Sequence, residues 1–263
     1  MAGWQHDVWK GKVDQGKSVD YQTTASNAFL RGPTCLKLEE VAFALRARSA
    51  QLPTRAYLKK IKASKVSRCR HCTADPETLA HVLNHCPHSL YSKIKEGHNK
   101  ALERITKAIK RSGVNRGKTL QIDGCPTDME TLLRPDIILR DDKRKQMAIA
   151  DVAIASEDYK KNSFGSARLH KEEKYQSLKK HYEDRGYRVT VQTLVYGPLG
   201  CIAKENRRVL THDLAINDRI AWAIQREIST DCIRHSHRIW GFHIADNDTR
   251  RARGGGRSRA HTS

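Results

Sequence analysis

The chain has 263 residues, with 49 Lys or Arg against 29 Asp or Glu, which gives a formal net charge of +20 at pH 7. That length holds a real core, and the basic excess points to a polyanionic partner, nucleic acid first and an anionic membrane surface second. No apolar run approaches the roughly 18 residues that span a bilayer, and no signal-peptide stretch opens the sequence, so neither a secreted nor a membrane-embedded protein is expected.

Residues 1–66 read as a basic, mainly helical region carrying 12 Lys or Arg and 5 Asp or Glu. Leu38, Val41, Ala42 and Leu45 recur at helical spacing, with Glu39 and Glu40 near the positive end of the helix dipole. Gly32-Pro33-Thr34 supplies a lead-in turn, and Pro53-Thr54 restarts a second helix through Tyr57, Leu58 and Ile61. Such a pair serves equally as a packed scaffold with a solvated basic face or as a face that meets nucleic acid.

Residues 67–90 hold Cys69, Cys72, His81 and Cys86 in the spacing C-x2-C-x8-H-x4-C. The chain has 7 Cys, an odd number. Their clustering here beside several His suggests a metal in a reducing compartment rather than disulfides. Two Cys on a tight turn grip one edge of a Zn2+ ion, and the later His and Cys close the tetrahedron. Four protein ligands leave no open position, so such a site is structural. His85 and His88 stand close enough to compete, and Cys69, Cys72, His81 and His85 would make a two-Cys, two-His set. Cys86 is preferred, because thiolate binds zinc firmly and the spacing is that of a zinc knuckle. Cys35, Cys125, Cys201 and Cys232 read as ordinary buried or half-buried thiols.

A connecting helix is expected over residues 91–115, with Ile94, Leu102, Ile105 and Ile109 on its apolar face and Gly113 as its stop. The pattern then turns to strands at residues 119–122, 136–139, 147–155 and 187–196, with a helix over residues 166–185 that ends at Gly186. Residues 116–205 therefore read as a small mixed α/β domain. Residues 206–248 return to helix. Residues 249–263, with five Arg, three consecutive Gly and no acid, read as a disordered tail that holds phosphate non-specifically.

Within the strand region, Arg134-Pro135-Asp136 opens one strand and Asp151 sits inside the next, across a polar turn. Alternation puts Asp151 on the face of Ile149 and Ala153, where a carboxylate is costly unless it is paired or bound to metal. Asp136 on the facing strand is expected to converge on the same point. Two such carboxylates suit Mg2+, which polarises a scissile phosphate and lowers the pKa of an attacking water. A Pro-Asp…(Asp/Glu)-x-Lys nuclease carries Lys two residues after its second acid, but here that position is Ala153. The following helix offers Lys171 and Lys174 in Lys171-Glu-Glu-Lys174-Tyr175. Tyr175, Leu178 and Tyr182 form its buried stripe, so Lys174, directly beside that stripe, is expected at the sheet edge, with Lys171 in reserve. Taken alone, Pro-Asp…Asp is a weak motif that a structural Asp in a hairpin also satisfies.

The order of these parts resembles the C-terminal third of polyproteins from non-LTR retrotransposons of the R-two class, which carry a restriction-like endonuclease and insert into ribosomal RNA genes. The likeness rests on Cys69, Cys72, His81 and Cys86, then Arg134-Pro135-Asp136, Asp151-Val152 and Lys171 to Tyr175. Ala44-Leu45-Arg46-x-Arg48 and Leu52-Pro53-Thr54-Arg55 look like the linker that follows the polymerase there. Val195-Tyr-Gly-Pro-Leu-Gly200 looks like the closing strand of the nuclease core, and the likeness covers most of residues 28–245.

The resemblance implies an α+β fold: a helical basic N-terminal region, a CCHC zinc knuckle, a PD-(D/E)xK restriction-like α/β nuclease core and a helical C-terminus. It implies a metal-dependent DNA endonuclease in which Asp136 and Asp151 hold Mg2+. Lys174 or Lys171 would steady the phosphate or orient the water, and Tyr175 would position the lysine. A lysine that has migrated to this helix, as in the family, accommodates Ala153. The implied partners are double-stranded target DNA (ribosomal DNA), element RNA and the reverse-transcriptase domain of a parent polyprotein, in the nucleus and without a membrane. No Tyr-x-Asp-Asp occurs and the length holds no polymerase besides these parts, so the resemblance implies a segment or shortened copy of a longer polyprotein. The rival reading is a non-catalytic, zinc-dependent nucleic-acid-binding module in which Asp136 and Asp151 only shape the sheet.

Overall fold

The computed structural model describes residues 8, 11–12, 17–32, 35–89, 93, 95–126 and 128–254, and side chains through residue 245. Pro33 and Thr34 of the lead-in turn, Ile94 and residues 255–263 of the tail lie outside the described residues. The architecture is α+β. Its first helices are α1 (Leu38–Arg48) and α2 (Arg55–Lys60). Glu40 takes a hydrogen bond from the Lys37 N–H at 2.8 Å, and Thr54 Oγ1 takes one from the Tyr57 N–H at 3.1 Å. Each satisfies a donor that the first turn leaves without a helical partner.

Helix α1 turns a different face inward from the one its leucines mark. Phe43, Ala44 and Ala47 are buried, whereas Leu38 is 86% and Leu45 48% exposed. Both stripes have helical spacing, so periodicity alone does not choose between them. The aromatic Phe43 and the Glu40–Arg234 ion pair to the C-terminal helix settle the rotation.

Helix α3 (Lys95–Arg111) buries Leu102, Ile105 and Ile109 as expected. Four strands follow in the order β1 (Thr119–Ile122), β2 (Ile137–Asp141), β3 (Gln146–Ile154) and β4 (Arg188–Tyr196). β1–β2 and β2–β3 pair antiparallel and β3–β4 parallel, so the crossover between β3 and β4 carries the intervening helices. The single helix expected over residues 166–185 is two, α4 (Ser163–Lys174) and α5 (Gln176–Glu183), interrupted at Tyr175 (φ −102°, ψ 11°). Burial of the Tyr175 ring against the sheet decides the break, since Tyr175, Leu178 and Tyr182 are almost inaccessible.

The last helix, α6 (Asp218–Gly254), has 37 residues and continues through residues 249–254, where disorder was expected. Arg and Ala are strong helix formers, which favours helix over residues 250–253.

Helices α3 and α6 cover one sheet face, packing Ile105, Ile109, Ile224 and Ile228 on Ile137, Leu139, Ala150 and Val152. Tyr175, Leu178 and Tyr182 cover the other face, on Ile138, Met147 and Ile149. The turn after β4 is held from all sides. Arg48 reaches the Leu199 carbonyl at 2.7 Å, Ser229 and Ser236 of α6 donate to the Gly200 and Pro198 carbonyls at 2.6 Å each, and Glu157 accepts from the Leu199 N–H at 2.7 Å. Gly200 there has φ +85°, a left-handed conformation that favours glycine.

Candidate active site and candidate metal centre

The β2–β3 hairpin brings the two carboxylates together. Register pairs Ile137 with Ala150, so Asp136, one residue before β2, falls opposite Asp151. The Asp136 N–H donates to Asp151 Oδ1 at 3.2 Å, and the Val152 N–H donates to Asp136 Oδ2 at 2.7 Å. Asp151 is 1% exposed.

Lys171 of α4, rather than Lys174, pairs directly with Asp151, through Oδ2. Lys174 stands one step away: its ammonium lies 3.2 Å from the Tyr175 hydroxyl and over that ring. The Tyr175 hydroxyl is 3.1 Å from Asp151 Oδ1 and 3.0 Å from the Arg134 carbonyl oxygen. The break at residue 175 thus lets the end of α4 supply a cation and the break residue itself supply a tyrosine to the same carboxylate.

His98, which no motif singled out, completes the cluster. Its Nε2 is 3.1 Å from Asp136 Oδ2 and 3.1 Å from the Val152 carbonyl oxygen. It lies 38 residues before Asp136 in sequence, on a helix whose apolar spacing carries no sign of it.

The two acids titrate in opposite directions. Burial raises Asp136, but the hydrogen bond and charge of His98 outweigh it and hold the group below its ordinary value. Burial and then the neighbouring Asp136 charge push Asp151 up, against the pull of Lys171. Burial and the Asp151 charge also raise the Tyr175 hydroxyl, which keeps its proton. A pair of close, oxygen-donating acids that cannot comfortably both ionise is the donor set a hard divalent cation relieves.

The cysteine cluster assembles as its spacing suggests. The ligand atoms of Cys69, Cys72, His81 and Cys86 all lie within 4.8 Å of one another, a set that can hold a metal ion and is compatible with zinc. Cys69 and Cys86 Sγ are 3.9 Å apart, and Cys72 Sγ is 3.3 Å from His81 Nε2. The competing His85 is exposed and Cys86 is fully buried, which decides against the two-Cys, two-His set. Burial pushes the Cys69 thiol up to about 12, raises Cys86, and lowers His81. A soft cation that displaces the thiol protons removes this penalty. Of the other cysteines, Cys201 and Cys232 are buried and Cys125 half-buried, but Cys35 is exposed, contrary to expectation.

Two residues beside this cluster had no signal in the sequence. Glu77 is fully buried and accepts from the Arg55 and Arg70 N–H groups at 3.0 and 2.9 Å, from the Arg70 guanidinium, and from His243 Nε2 at 3.0 Å. Burial opposes its charge, but these donors, His243 first, hold it down to about 2. Ionised Glu77 only accepts, so His243 Nε2 carries hydrogen, and the same nitrogen lies 4.0 Å from Cys69 Sγ. The C-terminal helix is thereby fastened to the cysteine cluster.

Among the described residues, no helix is long and apolar enough to cross a membrane. No protein-family model matches the chain, and a search of curated proteins finds no match.

Proposed function

We propose that the chain is a metal-dependent DNA endonuclease segment of the retrotransposon kind that its motifs resemble, with a restriction-like core and a zinc knuckle. The observation that carries this reading is the Asp136–Asp151 pair, with Lys171 and Tyr175 on Asp151, where β2 begins against β3 in the middle of a small mixed sheet. Asp136 and Asp151 would hold Mg2+ or a similar ion, which when bound supplies Lewis acidity for a scissile phosphate. Lys171 would face the developing negative charge, and Tyr175, with Lys174 beside its hydroxyl, keeps Asp151 in place. In the hydrolysis, water oxygen bonds to phosphorus and the bond to O3′ breaks. The O3′ takes up a proton, leaving a 3′-hydroxyl and a 5′-phosphate. That 3′-hydroxyl would prime reverse transcription by the parent polyprotein's polymerase in the nucleus, with target DNA and element RNA as partners. The formal +20 supplies sequence-independent phosphate affinity.

The test is nicking of supercoiled plasmid by zinc-loaded protein with Mg2+, comparing wild type with Asp136→Ala. Wild type should nick, and the variant should lose roughly a hundredfold or more of that rate. Equal nicking by both, or none by wild type, sinks the proposal. The ion pair of Asp151 with Lys171 also suits the rival, a non-catalytic binding module. In that case both proteins bind DNA alike and neither cuts.

A further inference from the structure

A half-open cavity of about 240 Å3 lies where α1, α2, the segment beside the cysteine cluster and the turns after β3 and β4 meet. Leu52, Leu79, Leu83 and Leu199 give it an apolar wall. At roughly 30 Å3 per water it has room for about eight, the size of one flat heterocyclic ring with part of a sugar.

Two acids in the lining carry oxygens without partners. Glu157 is 8% exposed and accepts from the Leu199 and Cys201 N–H groups through Oε1 alone, so Oε2 takes no hydrogen bond among the described residues. Asp158 Oδ1 is buried and has no hydrogen-bond partner among the described residues, while Oδ2 lies 3.9 Å from the Lys17 ammonium. An acyl chain in this cavity would seal both oxygens against hydrocarbon, whereas a ring bearing N–H groups satisfies them. Tyr57 adds a half-buried ring with no aromatic or cationic partner among the described residues, which leaves a face for stacking. Lys17 and Lys60 complete the lining, and Lys60 is exposed, so the solvent side of the cavity is positive.

We infer that this cavity holds the base of one nucleotide, guanine best, stacked on Tyr57 with its N–H groups on Glu157 and Asp158 and its phosphate toward Lys17 and Lys60. Guanine presents a ring N–H and an amino group side by side, thymine a single N–H. The nucleotide is either free or a base turned out of a DNA strand. Glu157 and Asp158 follow closely on β3, the strand of Asp151, which places them at most about 25 Å along the chain from the carboxylate pair. A strand lying at that pair spans such a distance in a few nucleotides.

The experiment uses zinc-loaded full chain at about pH 8, where Glu157, pushed up by burial to about 7, is ionised. Mg2+ is left out, so nothing is cut and the outcome is independent of the nicking assay. By calorimetry dGMP should bind on the order of tenfold or more tighter than dTMP or deoxyribose 5-phosphate, and Tyr57→Leu should weaken dGMP by roughly tenfold. In wild type, which needs no variant to fold, dGMP should impose ring-current shifts on the Leu52, Leu83 and Leu199 methyls. Short single-stranded DNA containing guanine that displaces dGMP assigns the base to a strand. DNA that binds without displacing it assigns the cavity to the free nucleotide. Absence of dGMP binding, binding no tighter than that of either comparison compound, or binding that leaves those methyls unshifted overturns the inference.

Discussion

At the scale of single residues, the two lysines of Lys171-Glu-Glu-Lys174 divide one role. Lys171 touches Asp151 and Lys174 touches only Tyr175. Plasmid nicking should therefore fall at least tenfold further in Lys171→Met than in Lys174→Met; the reverse order would return the role to Lys174. Sequence could nominate both but not rank them, because the ranking depends on the helix break at Tyr175. Glu157 offers a prediction away from both the carboxylate pair and the cysteine cluster. Burial pushes its carboxyl up to about 7 from 4.5, despite the Leu199 N–H and the Arg48 charge. The folded state thus holds a proton that the unfolded chain releases. Its contribution to stability is fully present below about pH 4.5 and is lost as pH rises to about 7. Glu157→Gln mimics the protonated acid. In urea melts it should match wild type near pH 4.5 and exceed it by about 3 kcal/mol above pH 7. Parallel curves for the two proteins would assign the titration elsewhere. At Gly200 an added Cβ would meet Ser229 Oγ at 2.7 Å and the Ser229 carbonyl oxygen at 3.0 Å. Gly200→Ala should cost roughly 1–3 kcal/mol, read as a lowered melting temperature.

At the scale of elements, runs of apolar and β-branched residues bounded by turn residues located all four strands to within a residue or two; β2 and β3 are covered on both faces, so their burial runs on continuously instead of alternating. The rotation of α1 was not legible. Leu38–Ala42–Leu45 and Phe43–Ala44–Ala47 are both helical stripes, and only partners distant in sequence, such as Arg234, select one. His98, Glu77 and His243 escaped for the same reason: each earns its place through contacts made across the fold. The buried stripe of α5 was legible, and Leu178→Ala should destabilise by about 2–5 kcal/mol in chemical melts. The cysteine cluster and α6 are joined through Glu77, His243 and Cys69. Chelation of bound metal should therefore weaken amide protection both in residues 67–90 and in α6 around His243. Loss confined to the cluster would show that the helix stands independently.

For the whole molecule, stretches separated along the sequence share one interior. A single apolar cluster joins Phe29 and Phe43 of the basic N-terminal region, Val82 and Leu83 beside the cysteine cluster, Leu199 after β4, and Ile233, Ile239 and Trp240 of α6. Composition and spacing mark where such stretches begin and end but not which of them share a core. The positive charge belongs to the molecule as a whole, so DNA affinity should fall linearly in log–log plots against salt concentration. An affinity unchanged between 50 and 300 mM salt (roughly a twofold change in screening length) would exclude phosphate contacts as its source.

The anchored turn at Leu199 also sets a timetable. Arg48 and its carbonyl acceptor are 151 residues apart in the chain. At roughly 5–20 residues per second, a ribosome delivers the acceptor about 8–30 s after the arginine. During that interval the burial of Phe43, Ala44 and Ala47 is incomplete, because Leu199 and the α6 residues Ile233, Ile239 and Trp240 of the same cluster have not been made. The N-terminal helices therefore reach their native packing only after α6 has been synthesised.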